Sequence, residues 1–208
     1  LVEEKQITPG LAVILVGNDA ASATYVASKA KSCKNAGIYS VVHEMPESIT
    51  QEELLETIAR MNENPKLDGI LVQLPLPKHI DTTVVLEAID PLKDVDGFHP
   101  YNVGRMVSNL DAFLPATPFG VMRMFQEYGI ELSGKNVVVI GSSDIVGKPM
   151  ASLLINAKAT VTVCNSRTKD LASHTKAADI VVIAVGVPYL LKADMVKDGA
   201  IVIDVGIN

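Results

Sequence analysis

Cysteine, positive charge and long apolar runs are all scarce in this chain, and each shortage removes a class of function. The two cysteines, Cys33 and Cys164, lie far apart and show no metal-ligand spacing. Two isolated thiols suit a reducing compartment, so a cytoplasmic protein is expected, with both residues serving as buried small hydrophobes. Eighteen Lys and Arg against 24 Asp and Glu leave a net charge of −6. That is the opposite of the basic footprint of a nucleic-acid-binding domain. No unbroken apolar run is long enough to cross a bilayer, so no membrane partner is expected. The four histidines, His43, His79, His99 and His174, have neither metal spacing nor an obvious base partner. They read as structural or solvated, and no metal is expected.

What is present is ordinary globular material: 208 residues, 48% hydrophobic and 20% charged, enough for one large domain or two small ones. Short aliphatic runs alternate with helical patterns. LAVILVG (11–17), SVVHEM (40–45) and DGILVQLPLP (68–77) read as strands, the last ended by two prolines. A helix follows the first strand and stops near Gly37. Thr50 three residues before Glu53 is a capping box that opens a second helix. A further helix is expected near 82–89, then a long loop-like stretch, DPLKDVDGFHPYNVGRM. Loops of that length in compact domains are often functional.

After residue 112 the rhythm tightens. TPFGVMRMFQEYG reads as a helix, and KNVVVIG, ATVTVCN, ADIVVIAVG and GAIVIDVG read as four strands, with helices near 145–157, 168–177 and 192–197. These strands are nearly free of internal polarity, the pattern of a parallel sheet covered on both faces. Repeated β-α units predict an α/β fold of two lobes with a cleft between them, the second lobe a Rossmann-like doubly wound parallel sheet. The expected division is 1–112 and 113–208. The chain begins at Leu1 and stops just after VIDVGIN, from which further segments are expected beyond both ends.

VVVIGSSDIVGKPM is a strand, a turn and a helix start. Gly141 permits a tight turn, Gly147 a close approach of helix to sheet or ligand, and Pro149 suits a first helical turn. Free backbone amides and the helix dipole make such a turn attract phosphate. The pattern G-x-S-x-x-x-G departs from G-x-G-x-x-G and also fits a plain strand-to-helix turn; the strands that follow favour a nucleotide. The next strand ends in VTVCNSRT. An acid there would bind ribose hydroxyls, whereas this chain offers Asn165, Ser166 and Arg167, which favours NADP. Arg167 also reads as a solvated loop charge.

The opening helix, ASATYVASKAKSCKNAGI, carries Ser22, Tyr25 and Lys29 at spacings of three and four, on one face. By themselves Tyr25 reads as a half-buried core aromatic and Lys29 as a solvated charge. Gln73 is harder to dismiss, because an amide within a buried strand needs partners. Asp96 alone reads as a turn former.

Taken together, Y-V-A-S-K after VGNDAAS, DGILVQLPLP, KDVDGFHPYNVGRM, PATP, GSSDIVGKP and DVGIN resemble the bifunctional methylenetetrahydrofolate dehydrogenase/methenyltetrahydrofolate cyclohydrolase family, in family order over essentially the whole chain. The resemblance implies NADP-linked oxidation of methylenetetrahydrofolate, hydrolysis of the methenyl product to 10-formyltetrahydrofolate, and a homodimer. It implies that Tyr25 stacks on the folate, that Lys29 is the acid–base lysine, that Gln73 orients Lys29 and that Asp96 holds the pterin. Ser22, Val72 and Leu74 complete the substrate set. Gly141, Ser142, Ser143, Gly147, Ser166, Arg167 and Ile207 form the cofactor set. The chemistry asks for such groups: hydride loss leaves a cationic methenyl centre, water attacks it, and a lysine in a partly desolvated cleft exchanges the protons. Two departures stand out. Ala116 replaces the family's cysteine in P-C-T-P, which removes a thiol from the folate site. Ser142 replaces the arginine of the glycine turn, which weakens the 2′-phosphate site and keeps an NAD-preferring dehydrogenase with little cyclohydrolase activity as the alternative. A non-catalytic nucleotide-binding module is the third reading.

Overall fold

The computed structural model describes residues 7–206, which divide into two compact units between Tyr101 and Asn102. In the first, β1 (Gly10–Val16), β2 (Tyr39–Met45) and β3 (Gly69–Val72) form a parallel sheet in the order β2-β1-β3. Side chains alternate along a strand, so each face of the sheet collects every second residue. Ala12, Ile14, Val16, Ile70 and Val72 point to one face and meet helices α2 (Gln51–Asn62) and α3 (Thr82–Glu87). Val13, Leu15 and Leu71 point to the other and meet Val26 of helix α1 (Ala20–Asn35).

Local signals start these helices. Asp19 caps α1 by accepting from Ser22 N at 2.7 Å. Thr50 and Glu53 form the expected capping box of α2, in both directions, at 2.9 and 3.2 Å. Leu54, Ile58 and Met61 then bury a stripe at spacings of four and three. In α1 the inward stripe is Ser22, Val26, Lys29 and Cys33. Ser22, Val26 and Cys33 are buried and Lys29 is half-buried.

The third strand is shorter than expected, four residues instead of 68–77. Gln73 N still donates to Ile14 O at 2.9 Å. Beyond it Pro75 and Pro77 have no N–H to extend the ladder. The stretch expected as a loop after residue 91 also contains a helix, α4 (Pro100–Val107). Met106 of α4 packs with Val121, Phe125, Met150 and Leu154, and Asn156 Nδ2 donates to Met106 O at 2.7 Å. These contacts bind α4 to the second unit, so the two units divide ahead of residue 112.

The second unit holds β4 (Asn136–Ile140), β5 (Thr160–Cys164), β6 (Ile180–Ile183) and β7 (Ile201–Asp204), all parallel in the order β5-β4-β6-β7. Val137, Val139, Ile180 and Val182 pack against α5 (Ala116–Glu127) and α6 (Gly147–Asn156). Val138, Ile140, Val181 and Ile183 face the opposite layer, with Leu171 of α7 (Leu171–Thr175) and Leu190, Leu191 and Val196. The sheet is doubly wound, as the alternation predicts. Burial on both faces holds for β6 and for Val137–Ile140 but not for the outer strands. β5 and β7 each pair on one side only, and Val163 and Val202 are exposed.

Candidate active site

The β1–β2 connection carries α1 over one face of the first sheet and the β2–β3 connection carries α2 over the other, past β1, so a switch point lies between β1 and β3. Ligands of open α/β sheets bind outside the carboxyl ends of the strands at such points. Gln73 is the first residue past β3. It continues the alternation of Leu71, so it faces α1, whereas Val72 faces the core on the other side. Lys29 lies on the inward stripe of α1, and its Nζ donates to Gln73 Oε1 at 3.1 Å. Gln73 Nε2 donates in turn to Leu74 O at 2.8 Å, so both ends of the amide are engaged. The neighbouring Leu74–Pro75 peptide is cis. Val72 is 1% exposed with its side chain in the core, so only its main chain is available to a ligand. Leu74 is half-buried.

Asp96 reaches the same end of the sheet by a different route. The segment after Asp90 runs beside β3, with Ile70 N donating to Lys93 O at 2.7 Å and Ile70 bridging to Asp94. Val95 packs beside Leu71. Gly69 makes room for this approach, since a Cβ there would lie 2.5 Å from Val95 Cγ1. Burial pushes the Asp96 carboxyl up to about 6; the charge of Lys29 opposes the rise and that of Asp94 adds to it. Lys29, Gln73 and Asp96 are therefore one electrostatic cluster. Tyr25 is half exposed, one turn before Lys29, which leaves a ring face open for stacking. Ser22 is buried, and its hydroxyl and amide hold Asp19 below the usual carboxylate range. Its role within the protein is to start α1.

Sequence reasoning passed over Lys93 and Asp94. Asp94 is 1% exposed and accepts from Phe98 N at 3.3 Å and His99 N at 2.9 Å, which folds the turn that carries Asp96. The signal available was two carboxylates spaced by one residue in KDVDG, of which Asp94 is the one spent on folding the turn.

In the second unit the turn after β4 lies beside the carboxyl end of β6. Gly141 has φ of +119°, and a Cβ there would lie 2.4 Å from Ala184 O; a Cβ on Gly147 would lie 2.3 Å from Gly141 O. Gly141 is therefore required by the close approach of the chain just past β6, and Gly147 by the packing of α6 on the turn. Ser143 Oγ accepts from Val146 N at 3.2 Å and Gly147 N at 3.3 Å, shaping the start of α6. Ile140 pairs with Cys164, so Ser142 and Ser166 occupy equivalent places two residues past adjacent strand ends. Thr168 Oγ1 accepts from Asn165 N at 2.8 Å and Asn165 Oδ1 from Arg167 N at 2.9 Å, a tight turn that leaves Ser166 and Arg167 exposed. No carboxylate lies between Cys164 and Lys169. This donor set fits a phosphate-bearing dinucleotide. The Cys164 thiol is buried and burial pushes its pKa up, so it serves packing. A pocket of about 410 Å³, lined by Val185, Tyr189 and Asp204 among others, opens at the carboxyl ends of β6 and β7. Ile207, expected in the cofactor set, lies outside the described residues.

Comparison with known proteins bears on both units. Residues 1–96 match the tetrahydrofolate dehydrogenase/cyclohydrolase catalytic domain, and residues 115–208 match the NAD(P)-binding domain of the same description. The bifunctional protein FolD of Aliarcobacter butzleri is 92% identical over 208 residues, covering 100% of this chain and 72% of the relative. The crystal structure of the bifunctional enzyme FolD-methylenetetrahydrofolate dehydrogenase/cyclohydrolase from Campylobacter jejuni superposes with a TM-score of 0.97 at 54% identity, covering 100% of this chain and 74% of that one. The Trypanosoma brucei methylenetetrahydrofolate dehydrogenase-cyclohydrolase, complexed with NADP cofactor and inhibitor, superposes with a TM-score of 0.93 at 42% identity, covering 98% and 70%.

Proposed function

The chain belongs to the tetrahydrofolate dehydrogenase/cyclohydrolase family, and we propose that it oxidises 5,10-methylenetetrahydrofolate with NADP and hydrolyses the methenyl product to 10-formyltetrahydrofolate. The observation that carries this reading is the hydrogen bond from Lys29 to Gln73, with Asp96 electrostatically coupled to the same lysine. They place an acid–base lysine, the amide that aims it and a carboxylate on one unit, at the carboxyl end of its sheet.

NADP, when bound, supplies the nicotinamide that takes the hydride from the methylene carbon. Tyr25 stacks on the folate and Asp96 accepts from the N–H groups of the pterin. The methenyl centre left behind is cationic. Lys29, as the free amine, takes a proton from the water that adds to that carbon. The hydroxylated centre then collapses: its bond to N5 breaks, N5 takes a proton, the hydroxyl loses one, and the formyl group stays on N10. The sum is one water consumed and one proton released. Gln73 suits this cycle because a neutral amide aims the lysine without holding it as an ammonium ion; proton transfer of this kind contributes roughly 10²–10⁴-fold.

The first unit is assigned to folate and the second to the cofactor, with Gly141, Ser143 and Gly147 at the phosphates and Ser166 and Arg167 at the 2′-phosphate. The assembly is assigned as a cytoplasmic homodimer. Ser142, in place of a guanidinium, favours a second reading in which NAD is used as well. The test follows methenyltetrahydrofolate by absorbance, first its appearance with NADP or NAD and then its decay by hydrolysis. No methenyl species with either cofactor overturns the assignment.

A further inference from the structure

We propose that Lys93 is a positioning residue for this chemistry: its ammonium ties the segment that carries Asp96 to the end of α2, and so holds Asp96 in register with Gln73. The inference rests on the folate reading above and goes beyond it, because Lys93 belongs to neither the acid–base cluster nor the cofactor set.

The geometry begins at the last turn of α2, whose final carbonyls have no partner within the helix. Lys93 Nζ donates to three main-chain oxygens at and just beyond that turn: Asn62 O at 2.7 Å, Asn64 O at 2.9 Å and Met61 O at 3.4 Å. Asn62 reinforces the tie with its side chain, donating to Ala88 O at 2.8 Å and accepting from Asp90 N at 2.9 Å. The main chain of Lys93 is fixed as well. Its N–H donates to Asp90 O at 2.7 Å, and its carbonyl accepts from Ile70 N at 2.7 Å and Val95 N at 2.9 Å. Lys93 thus joins the end of a helix, the open edge of β3 and the turn before Asp96.

Ile70 gives the register its meaning. Gln73 lies three residues beyond Ile70 on one chain segment, and Asp96 lies three residues beyond Lys93 on the other. The Ile70–Lys93 hydrogen bond is the common origin from which both side chains are placed. A cation among carbonyl oxygens at a helix end is favourable on its own account, so a purely structural role must be separated from a positioning one. A misplacement of about 1 Å in a catalytic constellation costs up to ~10²-fold, a signature that simple loss of stability does not share.

The experiment compares Lys93→Met, which keeps the aliphatic stem and removes the donor, with Lys93→Arg, Asn62→Ala and Thr50→Ala. Thr50→Ala removes the cap at the opposite end of α2 and controls for destabilisation of that helix. Each full-length variant is assayed for the Michaelis constant of methylenetetrahydrofolate at saturating NADP, from pH 5 to 8. Lys93→Met is expected to raise that constant roughly tenfold and to move the inflection near pH 6 set by Asp96. Lys93→Arg, still a donor, recovers most of the loss, and Thr50→Ala leaves both readouts as in the wild type. The proposal is overturned by a wild-type profile in Lys93→Met, or by the same changes in Thr50→Ala. Should Lys93→Met not fold, Asn62→Ala decides: a rise of roughly threefold with a moved inflection supports the proposal, and an unchanged profile ends it. A wild-type chain without dehydrogenase or cyclohydrolase activity removes the folate reading itself and this inference with it.

Discussion

Lys29 Nζ and Gln73 Oε1 stand 3.1 Å apart although the two residues lie 44 positions apart in the chain. The pair forms because two periodicities converge. The helical repeat turns Lys29 inward from α1, and the strand repeat turns Gln73 out of β3 towards that helix. Gln73 Nε2 is already committed to Leu74 O, so the amide has one orientation and presents only its oxygen to the lysine.

Gln73→Glu is therefore expected to be more damaging than its size suggests. It places a carboxylate against the lysine, which favours the ammonium form, and sets a second oxygen against Leu74 O. Methenyl hydrolysis should fall by about a hundredfold, in the range attributed to a lost general base. Hydrolysis rates of the purified variant measure this directly, and an unimpaired rate would mean that the amide is dispensable.

Lys29→Ala should abolish cyclohydrolase activity, by roughly a hundredfold or more, and leave NADP affinity nearly intact. Lys29 belongs to the first unit and the glycine turn to the second. Fluorescence titration with NADPH alongside the hydrolysis assay separates the two effects. Full methenyl hydrolysis in the variant would remove Lys29 from the mechanism.

Asp96→Asn should trade activity for stability. The Asp96 carboxyl sits at about 6, above its ordinary 3.8, so the folded state binds this proton more tightly than the unfolded state does. Below about pH 4 both states are protonated and there is no penalty. The penalty grows between about 4 and 6 and stays constant above. A gap of about two pKa units at roughly 1.4 kcal/mol each bounds it at about 3 kcal/mol, and partial exposure reduces that. Thermal melts should show Asp96→Asn stabilised by about 1–3 kcal/mol at pH 7 and unchanged near pH 4, with a raised Michaelis constant for folate. Equal stabilisation at both pH values would contradict the assigned ionisation.

Arg167→Ala tests cofactor choice. A charge-assisted contact is worth about 1.5–3 kcal/mol, and about 1.4 kcal/mol is a factor of ten. The variant should raise the Michaelis constant for NADP tenfold or more and barely alter that for NAD. Parallel changes for both cofactors would show that Arg167 does not read the 2′-phosphate.

Gly147→Ala probes the turn itself. The added Cβ would lie 2.3 Å from Gly141 O and 2.8 Å from Ser142 Cα, both main-chain atoms. α6 must therefore shift from the turn, at about 2 kcal/mol, and NADP binding should weaken while folate binding persists. Calorimetric titration with NADPH measures this; a variant binding as the wild type does would show that the close approach is not required.

The fold was largely legible because aliphatic runs and their spacing are local properties. ILVG and VVVIG announce buried strands, Thr50 and Glu53 a helix start, and the doubly wound sheet follows from alternating β and α segments. The helix expected near 192–197 is only a 3-10 turn at Ala193–Met195, and two further elements were misread because their boundaries depend on neighbours. β3 ends at Val72 because two prolines withhold donors, and α4 is helical because Met106 has a core to enter.

The site divides in the same way. Tyr25, Lys29, Gln73 and Asp96 were legible as residue types in motifs, and so were Gly141 and Gly147 as turn glycines. Only the tertiary structure showed that Val72 turns its side chain away into the core, that Ser22 is engaged with Asp19, and that Lys93 and Asp94 hold the segment around Asp96. Sequence by itself determined which chemical groups exist and which face of a strand or helix each can occupy, because those follow from periodicity within one element. Tertiary structure decided which faces meet, because burial of Asp96 beside Lys29 and the joining of β3 to the 90–97 segment depend on hydrogen bonds and desolvation between elements far apart in the chain.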